Sequence, residues 1–187
     1  MFTKGWIIGV WMMGTDFQNK TRFYGAYPPS YWKRIKSLFP DFTTGNTLHL
    51  FSGSLPKETE GVRFDLVTDC DVKGDAHQLS TYFSSEQFGI VFADPPYSAE
   101  DAKRYGTPMV NRRKVIHECF KVIKQGGFLV WLDTVLPPFT KKEFKLVGTI
   151  AIVRSTNHRV RLCSVFRRVE NVPSQQTEAL SVVHPLP

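Results

Sequence analysis

The chain has 187 residues, of which 42% are hydrophobic and 22% charged, and its formal net charge is +7. This size and composition suit one domain with a substantial core and exclude a collagen, a coiled coil and a disordered chain. The basic surplus indicates a polyanionic partner. The longest apolar run, at residues 6–13, is too short to span a membrane, and no signal-cleavage pattern follows it. We therefore expect a soluble cytoplasmic protein without a membrane partner.

Cysteines and histidines give no sign of a disulfide framework or a metal site. Cys70, Cys119 and Cys163 form no CxxC pair, and their odd number favours reduced, buried thiols. The chain has no HExxH motif and its histidines are scattered, so His77 and His117 are expected to be surface or core residues. No metal is therefore predicted.

Apolar segments alternate with amphipathic ones from about residue 46 onward. Strands are predicted at residues 46–51, 62–67, 88–93 and 128–132, and a closing antiparallel pair at residues 146–153 and 159–166. Residues 110–123 show helical spacing of apolar side chains, with Gly126 and Gly127 as the expected stop. This alternation predicts an α/β fold, in which a mostly parallel sheet is covered on both faces and ends in an antiparallel strand pair.

Polar side chains follow three of the predicted strands. Sheets of this kind bind ligands beyond the carboxyl ends of their strands. Here those ends carry Ser52-Gly53-Ser54, Asp69 and the DPPY motif, Asp94-Pro95-Pro96-Tyr97. Their shared position at one edge of the sheet predicts a common site.

The DPPY motif is the most specific pattern in the chain. An amine attached to an aromatic ring is a poor nucleophile because its lone pair is delocalised into the ring. The Asp94 carboxylate and the Pro95 carbonyl can accept its two hydrogens and favour the pyramidal nitrogen that attack requires. The prolines stiffen the backbone, and Tyr97 offers a flat face for a base taken out of its stack. The motif therefore predicts chemistry at the exocyclic amine of a nucleobase.

A strand that runs into Asp-Pro-Pro-Tyr resembles the catalytic segment of amino-directed, S-adenosylmethionine-dependent methyltransferases, above all the DNA N6-adenine enzymes. The resemblance covers about residues 20–168. It implies a Rossmann-like class I methyltransferase sheet, S-adenosylmethionine as the cofactor, and Asp94, Pro95, Pro96 and Tyr97 as the catalytic residues. We expect residues 1–170 to form this single domain, residues 1–45 to pack near the cofactor site, and residues 171–187 to be a loose tail.

The same resemblance implies the cofactor-binding residues. These are His49, Phe51, Ser52, Gly53 and Ser54 at the family's cofactor turn, Asp69 at its ribose position, Asp75 and Ala76 at its adenine segment, and Tyr24 and Tyr27 upstream. Two positions depart from the family pattern, because His49 replaces an acidic residue and Leu55 replaces the last glycine of the turn.

Basic residues follow the DPPY motif, and they are Lys103, Arg104, Arg112, Arg113 and Lys114. Their segment, residues 98–113, contains Gly106 and Pro108, which favours a mobile loop that either contacts phosphate or is simply solvated. The short spans between Asp75 and Asp94 and after Arg168 leave no room for a separate target-reading domain. Target choice is then expected to come from short loops, from the first 30 residues or from a partner protein.

Two other chemistries are disfavoured by the residues present. Gly9 and Gly14 are spaced as in a phosphate loop, but Thr15 stands at the lysine position. Methylation of cytosine at carbon 5 needs a nucleophilic cysteine, typically after proline, and none of the three cysteines follows one.

The expected function is therefore methyl transfer to a nucleic-acid amine, first of all adenine N6 in DNA. Adenine or guanine amines of RNA are the near alternative. A cofactor-binding subunit without transfer activity is an alternative of a different class. The intact DPPY motif favours the enzyme, whereas His49 and Leu55 favour the subunit.

Overall fold

The computed structural model describes residues 6–14, 30–40, 44–155 and 158–170. In these residues eight strands form one sheet: β1 (Ile7–Met13), β2 (Thr47–Leu50), β3 (Val62–Asp65), β4 (Val72–Lys73), β5 (Phe88–Ala93), β6 (Ile123–Asp133), β7 (Phe144–Arg154) and β8 (Val160–Arg168). The α-helices of the same residues are α1 (Tyr31–Ser37), α2 (Ala99–Tyr105) and α3 (Arg112–Val122), and 3-10 helices lie at Thr44–Asn46 and Ala76–Thr81.

The strand order across the sheet is β1-β7-β8-β6-β5-β2-β3-β4. Strands β2 to β6 run parallel, and β8 runs antiparallel to both β6 and β7. The predicted fold class is therefore confirmed, as a mostly parallel α/β sheet with a terminal antiparallel pair. The order reverses between β2 and β5, so the loops that leave these two strands diverge and open a crevice at their carboxyl ends.

Apolar clusters pack on both faces of the sheet. All six residues of β5 are buried, and they alternate between the clusters, with Phe92 beside α1 and Val91 towards α3. Such a strand, apolar on both faces, is typical of the centre of a parallel sheet. Its carboxyl end is consequently fixed from both sides, and the DPPY motif begins there.

Several boundaries differ from the sequence-based expectations. β3 ends at Asp65, because the Asp65 carboxylate accepts the backbone N–H groups of Val67 and Thr68 and turns the chain out of the sheet. α3 already ends at Val122, and β6 includes Gly126, whose φ of +71° accompanies a shift in pairing with β5.

The segment predicted as a mobile loop after the DPPY motif contains α2. The Ser98 hydroxyl caps this helix by accepting the Asp101 N–H, and Gly106 ends it with a φ of +69°. Capping of this kind supplies partners for backbone groups that the ends of a short helix would leave unsatisfied. The prediction of a loop at residues 98–113 was therefore wrong.

β1 is a strand that the sequence analysis did not identify. It lies parallel to β7 at the edge of the sheet, where Gly9 and Trp11 are half-buried while Ile8, Val10 and Met12 are exposed. The apolar run at residues 6–13 thus alternates as an edge strand does, although both of its faces are apolar in sequence.

No helix in the described ranges is long and apolar enough to cross a membrane. All three cysteines lie within those ranges and carry free thiols, with Cys119 and Cys163 buried. Burial raises the pKa of the Cys163 thiol to about 12 and that of Cys119 still further, so both are unreactive at neutral pH.

Candidate active site

The carboxyl edge of the parallel strands brings together most of the residues that the sequence pointed to. Ser52, Gly53 and Ser54 follow β2, and the DPPY motif follows its neighbour β5. Asp65 ends β3 and Asp133 ends β6, so four adjacent strands deliver polar groups to one edge.

The turn after β2 is held by the last residue of β3. Phe51 and Gly53 adopt positive φ values of 60° and 52°, which turn the chain sharply out of the sheet. The Ser52 N–H donates to the Phe64 carbonyl at 3.1 Å, and the Gly53 N–H donates to Asp65 Oδ2 at 3.0 Å. Asp65 thus connects the two turns that follow β2 and β3.

Two hydroxyls beside these turns lack partners. Ser52 Oγ and Thr68 Oγ1 are buried and form no hydrogen bond within the described part of the chain. A buried hydroxyl without a partner costs free energy, so a ligand with polar groups would be stabilised here. The turn therefore fits a polar cofactor, with close backbone approach at Gly53.

The position expected for Asp69 is taken by Asp65. Because β3 ends early, Asp69 lies four residues beyond the strand, with 79% of its side chain exposed and its carboxylate 3.3 Å from Lys57 Nζ. Asp65 is only partly exposed and sits at the strand end itself. The assignment of Asp69 to the end of the second parallel strand is thereby corrected.

Arg63 stabilises both loops from below. It is 4% exposed, its Nη2 and Nε donate to the Asp71 carboxylate at 2.8 and 3.2 Å, and its Nη1 donates to the Leu55 and Asp69 carbonyls. Hydrogen bonds from Arg63 lower the pKa of Asp71. The geometry of the turn at Leu55, where the family's glycine is missing, is fixed by this ion pair.

His49 is placed in the core. It is fully buried in β2, stacks on Phe92 and meets the edge of Trp32, and its Nε2 lies 2.9 Å from the Glu60 carbonyl. Burial lowers the pKa of His49, which favours the neutral ring. His49 therefore supplies no charge in place of the family's acid.

Asp75 and Ala76 connect the segment after β4 to the start of α3. Asp75 Oδ1 accepts the backbone N–H of His77 and lies 2.7 Å from His77 Nδ1, while His77 Nε2 accepts the Asn111 N–H at 2.9 Å. Burial would raise the pKa of Asp75, but the hydrogen bonds from His77 outweigh it and lower that pKa. Ala76 is buried at the start of the 3-10 helix.

Asp94 and Tyr97 form the centre of the DPPY motif. The Tyr97 hydroxyl donates to Asp94 Oδ1 at 2.5 Å, and Pro95 and Pro96 between them are buried. Burial raises the pKa of Asp94 to about 7, with Asp133 adding to the rise and Arg161 and the Tyr97 hydroxyl opposing it. Asp94 therefore titrates near neutral pH.

Arg112 does not face solvent as predicted for a phosphate contact. Its Nε and Nη2 donate to the two oxygens of Asp133 at 2.7 and 3.1 Å, and Nη2 also donates to the Tyr97 carbonyl at 3.0 Å. Asp133 is wholly buried and further accepts the Trp131 indole N–H at 3.1 Å. Arg112 is therefore a structural residue that holds the DPPY motif, and the phosphate assignment is corrected.

The remaining basic residues of that segment are exposed. Lys103 and Arg104 lie on α2, and Arg113 and Lys114 lie in the first turn of α3. Their contact with phosphate stays a prediction. Tyr24 and Tyr27 lie outside the described residues.

Four residues of this edge were not identified from the sequence, and they are Arg63, Asp65, Asp133 and Arg161. Asp133 directly follows the apolar run at residues 128–132, which is the same signal that pointed to Asp94. Arg161 lies with its Cζ 5.1 Å from the centre of the Tyr97 ring, although 64 positions separate the two residues (161 − 97). Only the pairing of β8 with β6 could have located it there. Within the described ranges, no group of three or more His, Cys, Asp or Glu side chains could hold a metal ion.

Comparisons with known proteins bear on the fold. No protein-family model and no curated protein sequence matches the chain. A solved structure described as "Putative methyltransferase yhhF from Escherichia coli" is similar, with a TM-score of 0.51 and 14% identity over 79% of this chain and 90% of that one. A second, "Crystal Structure of PH0851", aligns with a TM-score of 0.41 and 15% identity over 72% of this chain and 44% of that one. The first match establishes a Rossmann-like methyltransferase fold.

The Arg112–Asp133 pair generates a stability prediction. Arg112→Met leaves the buried Asp133 carboxylate without its cation, so the free energy of unfolding should fall by about 3 kcal/mol. The exposed neighbour Arg113→Met should change it by less than about 0.5 kcal/mol. Chemical denaturation of both variants measures the difference. Equal stability of the two variants would contradict the assigned ion pair.

Proposed function

We propose that this protein is an S-adenosylmethionine-dependent methyltransferase that acts on the exocyclic amine of a nucleic-acid base, with adenine N6 in DNA as the first choice. One observation carries the proposal. The DPPY motif leaves the carboxyl end of β5, beside the turn of β2, in a sheet of the methyltransferase strand order, and its Asp94 carboxylate is largely buried. This is the arrangement that an amine-holding site requires.

The turn after β2 is the proposed cofactor site. Gly53 allows close approach of the backbone, and the unpartnered Ser52 hydroxyl is available to a polar ligand. Asp65 is the candidate for the cofactor's ribose hydroxyls, in place of Asp69, because it lies at the end of β3 with its carboxylate at the turn. Phe51, Ser54, Asp75 and Ala76 remain proposed contacts. When bound, S-adenosylmethionine supplies a methyl group on a positively charged sulfur.

The DPPY motif would hold the target amine. The Asp94 carboxylate and the Pro95 carbonyl accept the two amine hydrogens, and this interaction strengthens as the nitrogen becomes pyramidal and gains positive charge. Pro95 and Pro96 are buried and fix the backbone, and Arg112 holds the Tyr97 carbonyl. The acceptors are thus positioned before the substrate arrives.

The protonation state of Asp94 should govern the rate. With a pKa of about 7, Asp94 is mostly carboxylate above neutral pH and mostly protonated below it. Only the carboxylate offers full negative charge to the amine. The Tyr97 hydroxyl bond lowers that pKa, so Tyr97 contributes through its hydroxyl as well as through its ring face.

Nucleic acid is the proposed partner because the chain carries a net charge of +7 and a basic surface near the site. RNA amines are the near alternative. A partner protein for target choice and a cofactor-binding role without transfer are the other readings, and the experiments below separate them.

Cofactor binding tests the role of Asp65. Asp65→Ala removes a carboxylate from the turn, so the affinity for S-adenosylmethionine should weaken by about 1.5–3 kcal/mol, the range for hydrogen bonds to charged groups. Asp69→Ala, at the exposed position four residues on, should leave affinity within about twofold. Isothermal titration calorimetry measures both. A larger loss for Asp69→Ala would return the ribose role to Asp69.

Single-turnover kinetics with labelled cofactor and DNA or RNA test the role of Asp94. Asp94→Ala should slow methyl transfer about 100- to 1000-fold and leave cofactor affinity nearly unchanged, because a preorganised electrostatic partner is lost. In the parent protein the rate should rise with pH to a plateau, with a midpoint near 7.

Tyr97→Phe is the matched variant for the pH profile. It keeps the ring and removes the hydroxyl bond that lowers the pKa of Asp94, so the midpoint should move to higher pH. Transfer by Asp94→Ala at the parent rate would remove the main support for the proposal. Cofactor binding without transfer to either nucleic acid would favour the non-catalytic subunit.

A further inference from the structure

The hairpin between β7 and β8 reaches the same edge of the sheet as the DPPY motif. Because β8 is antiparallel to β6, the first residues of β8 lie beside the last residues of β6, with Leu162 opposite Asp133. Arg161 is opposite Ile152, and Arg154 and Arg159 are joined by a backbone hydrogen bond at the hairpin end. Three arginines therefore lie at the carboxyl edge.

This strand pair carries one sign of charge. Residues 144–169 contain no Asp or Glu, while their basic residues other than histidine are Lys145, Arg154, Arg159, Arg161, Arg167 and Arg168. Lys145, Arg167 and Arg168 lie at the opposite end of the strands, where Arg168 contacts Glu86 and Arg167 contacts Glu170. The charge at the DPPY end is not neutralised by such acids within the hairpin.

Arg161 and Arg154 have unused hydrogen-bond donors. Arg161 lies over the Tyr97 ring and forms no salt bridge within the described residues. Arg154 Nε is buried without a hydrogen-bond partner in those residues. A guanidinium presents a planar fork of N–H donors that matches the oxygens of a phosphate. Arg159 and His158 are exposed next to them.

We propose that Arg154, Arg159 and Arg161 bind the phosphate backbone that flanks the nucleotide whose base enters beside Asp94. The inference rests on the proposed function, and it names a polynucleotide rather than a free nucleoside as the substrate. Arg161 is the central residue, because its guanidinium lies 5.1 Å from the centre of the Tyr97 ring. On binding, the base takes the place over the ring and the guanidinium moves to the adjoining phosphate.

The test is a salt titration of oligonucleotide binding without cofactor, followed by fluorescence anisotropy on labelled single-stranded DNA, duplex DNA and RNA. Arg159→Ala/Arg161→Ala should weaken binding of the preferred oligonucleotide by more than 10-fold at low salt. It should reduce the slope of log affinity against log salt by about 1.4–1.8, since each phosphate contact contributes about 0.7–0.9.

The matched control is Lys145→Ala/Arg167→Ala, which removes two positive charges from the far end of the same strands. It should change affinity by less than about threefold and leave the slope near the parent value, because these side chains lie away from the site. Arg161→Lys keeps the charge, so it should retain most of the slope and serves in place of Arg161→Ala if that variant does not fold. Equal losses in the two double variants, or an unchanged slope in the hairpin variant, would overturn the proposal.

The outcome is separable from that of the proposed function. Hairpin-dependent binding without methyl transfer would uphold this inference and remove the enzyme assignment. Methyl transfer with equal KM for the parent and the hairpin variant would uphold the enzyme assignment and overturn this inference. Methyl transfer to a free nucleoside as efficient as to an oligonucleotide would overturn it as well.

Discussion

A carboxylate that is wholly buried at the end of β6, Asp133, needs a cation beside it, and Arg112 in the first turn of α3 supplies that cation. The same guanidinium donates to the Tyr97 carbonyl, so the ion pair fixes the position of the DPPY motif relative to the sheet. An uncompensated buried charge is strongly unfavourable, which makes this arrangement hard to disturb. The geometry of the whole edge depends on it.

The two neighbouring strand ends use their acids differently. Asp133 has its charge balanced by Arg112, whereas Asp94 forms no salt bridge in the described part of the chain and has a pKa of about 7. Its nearest polar partner is the Tyr97 hydroxyl, and the charge of Arg161 acts on it from the side. A carboxylate kept largely buried and without a fixed cation remains available to a substrate group. This contrast is the electrostatic basis of the proposed chemistry.

The sequence was sufficient where the signal was local. The unbroken apolar run of β5 followed by Asp94 and two prolines predicted both a central strand and the edge where the site lies. It was insufficient where the determinant was a long-range contact. Arg112 looked like one cation among several in a loop, because its partner Asp133 is 21 residues away. The boundary of β3 depends on hydrogen bonds of Asp65 to the chain after it, so Asp69 was given the place that Asp65 holds.

The central claim is methyl transfer to the exocyclic amine of a nucleic-acid base, and identification of the methylated nucleoside tests it most directly. Purified protein, cofactor carrying an isotope-labelled methyl group, and DNA or RNA are incubated at pH 8, where Asp94 is mostly ionised. The nucleic acid is then digested to nucleosides and analysed by mass spectrometry. The account predicts labelled N6-methyladenine from DNA, or a labelled adenine or guanine amine from RNA. Label on a ring carbon, on ribose, or on no nucleoside of either polymer would contradict it.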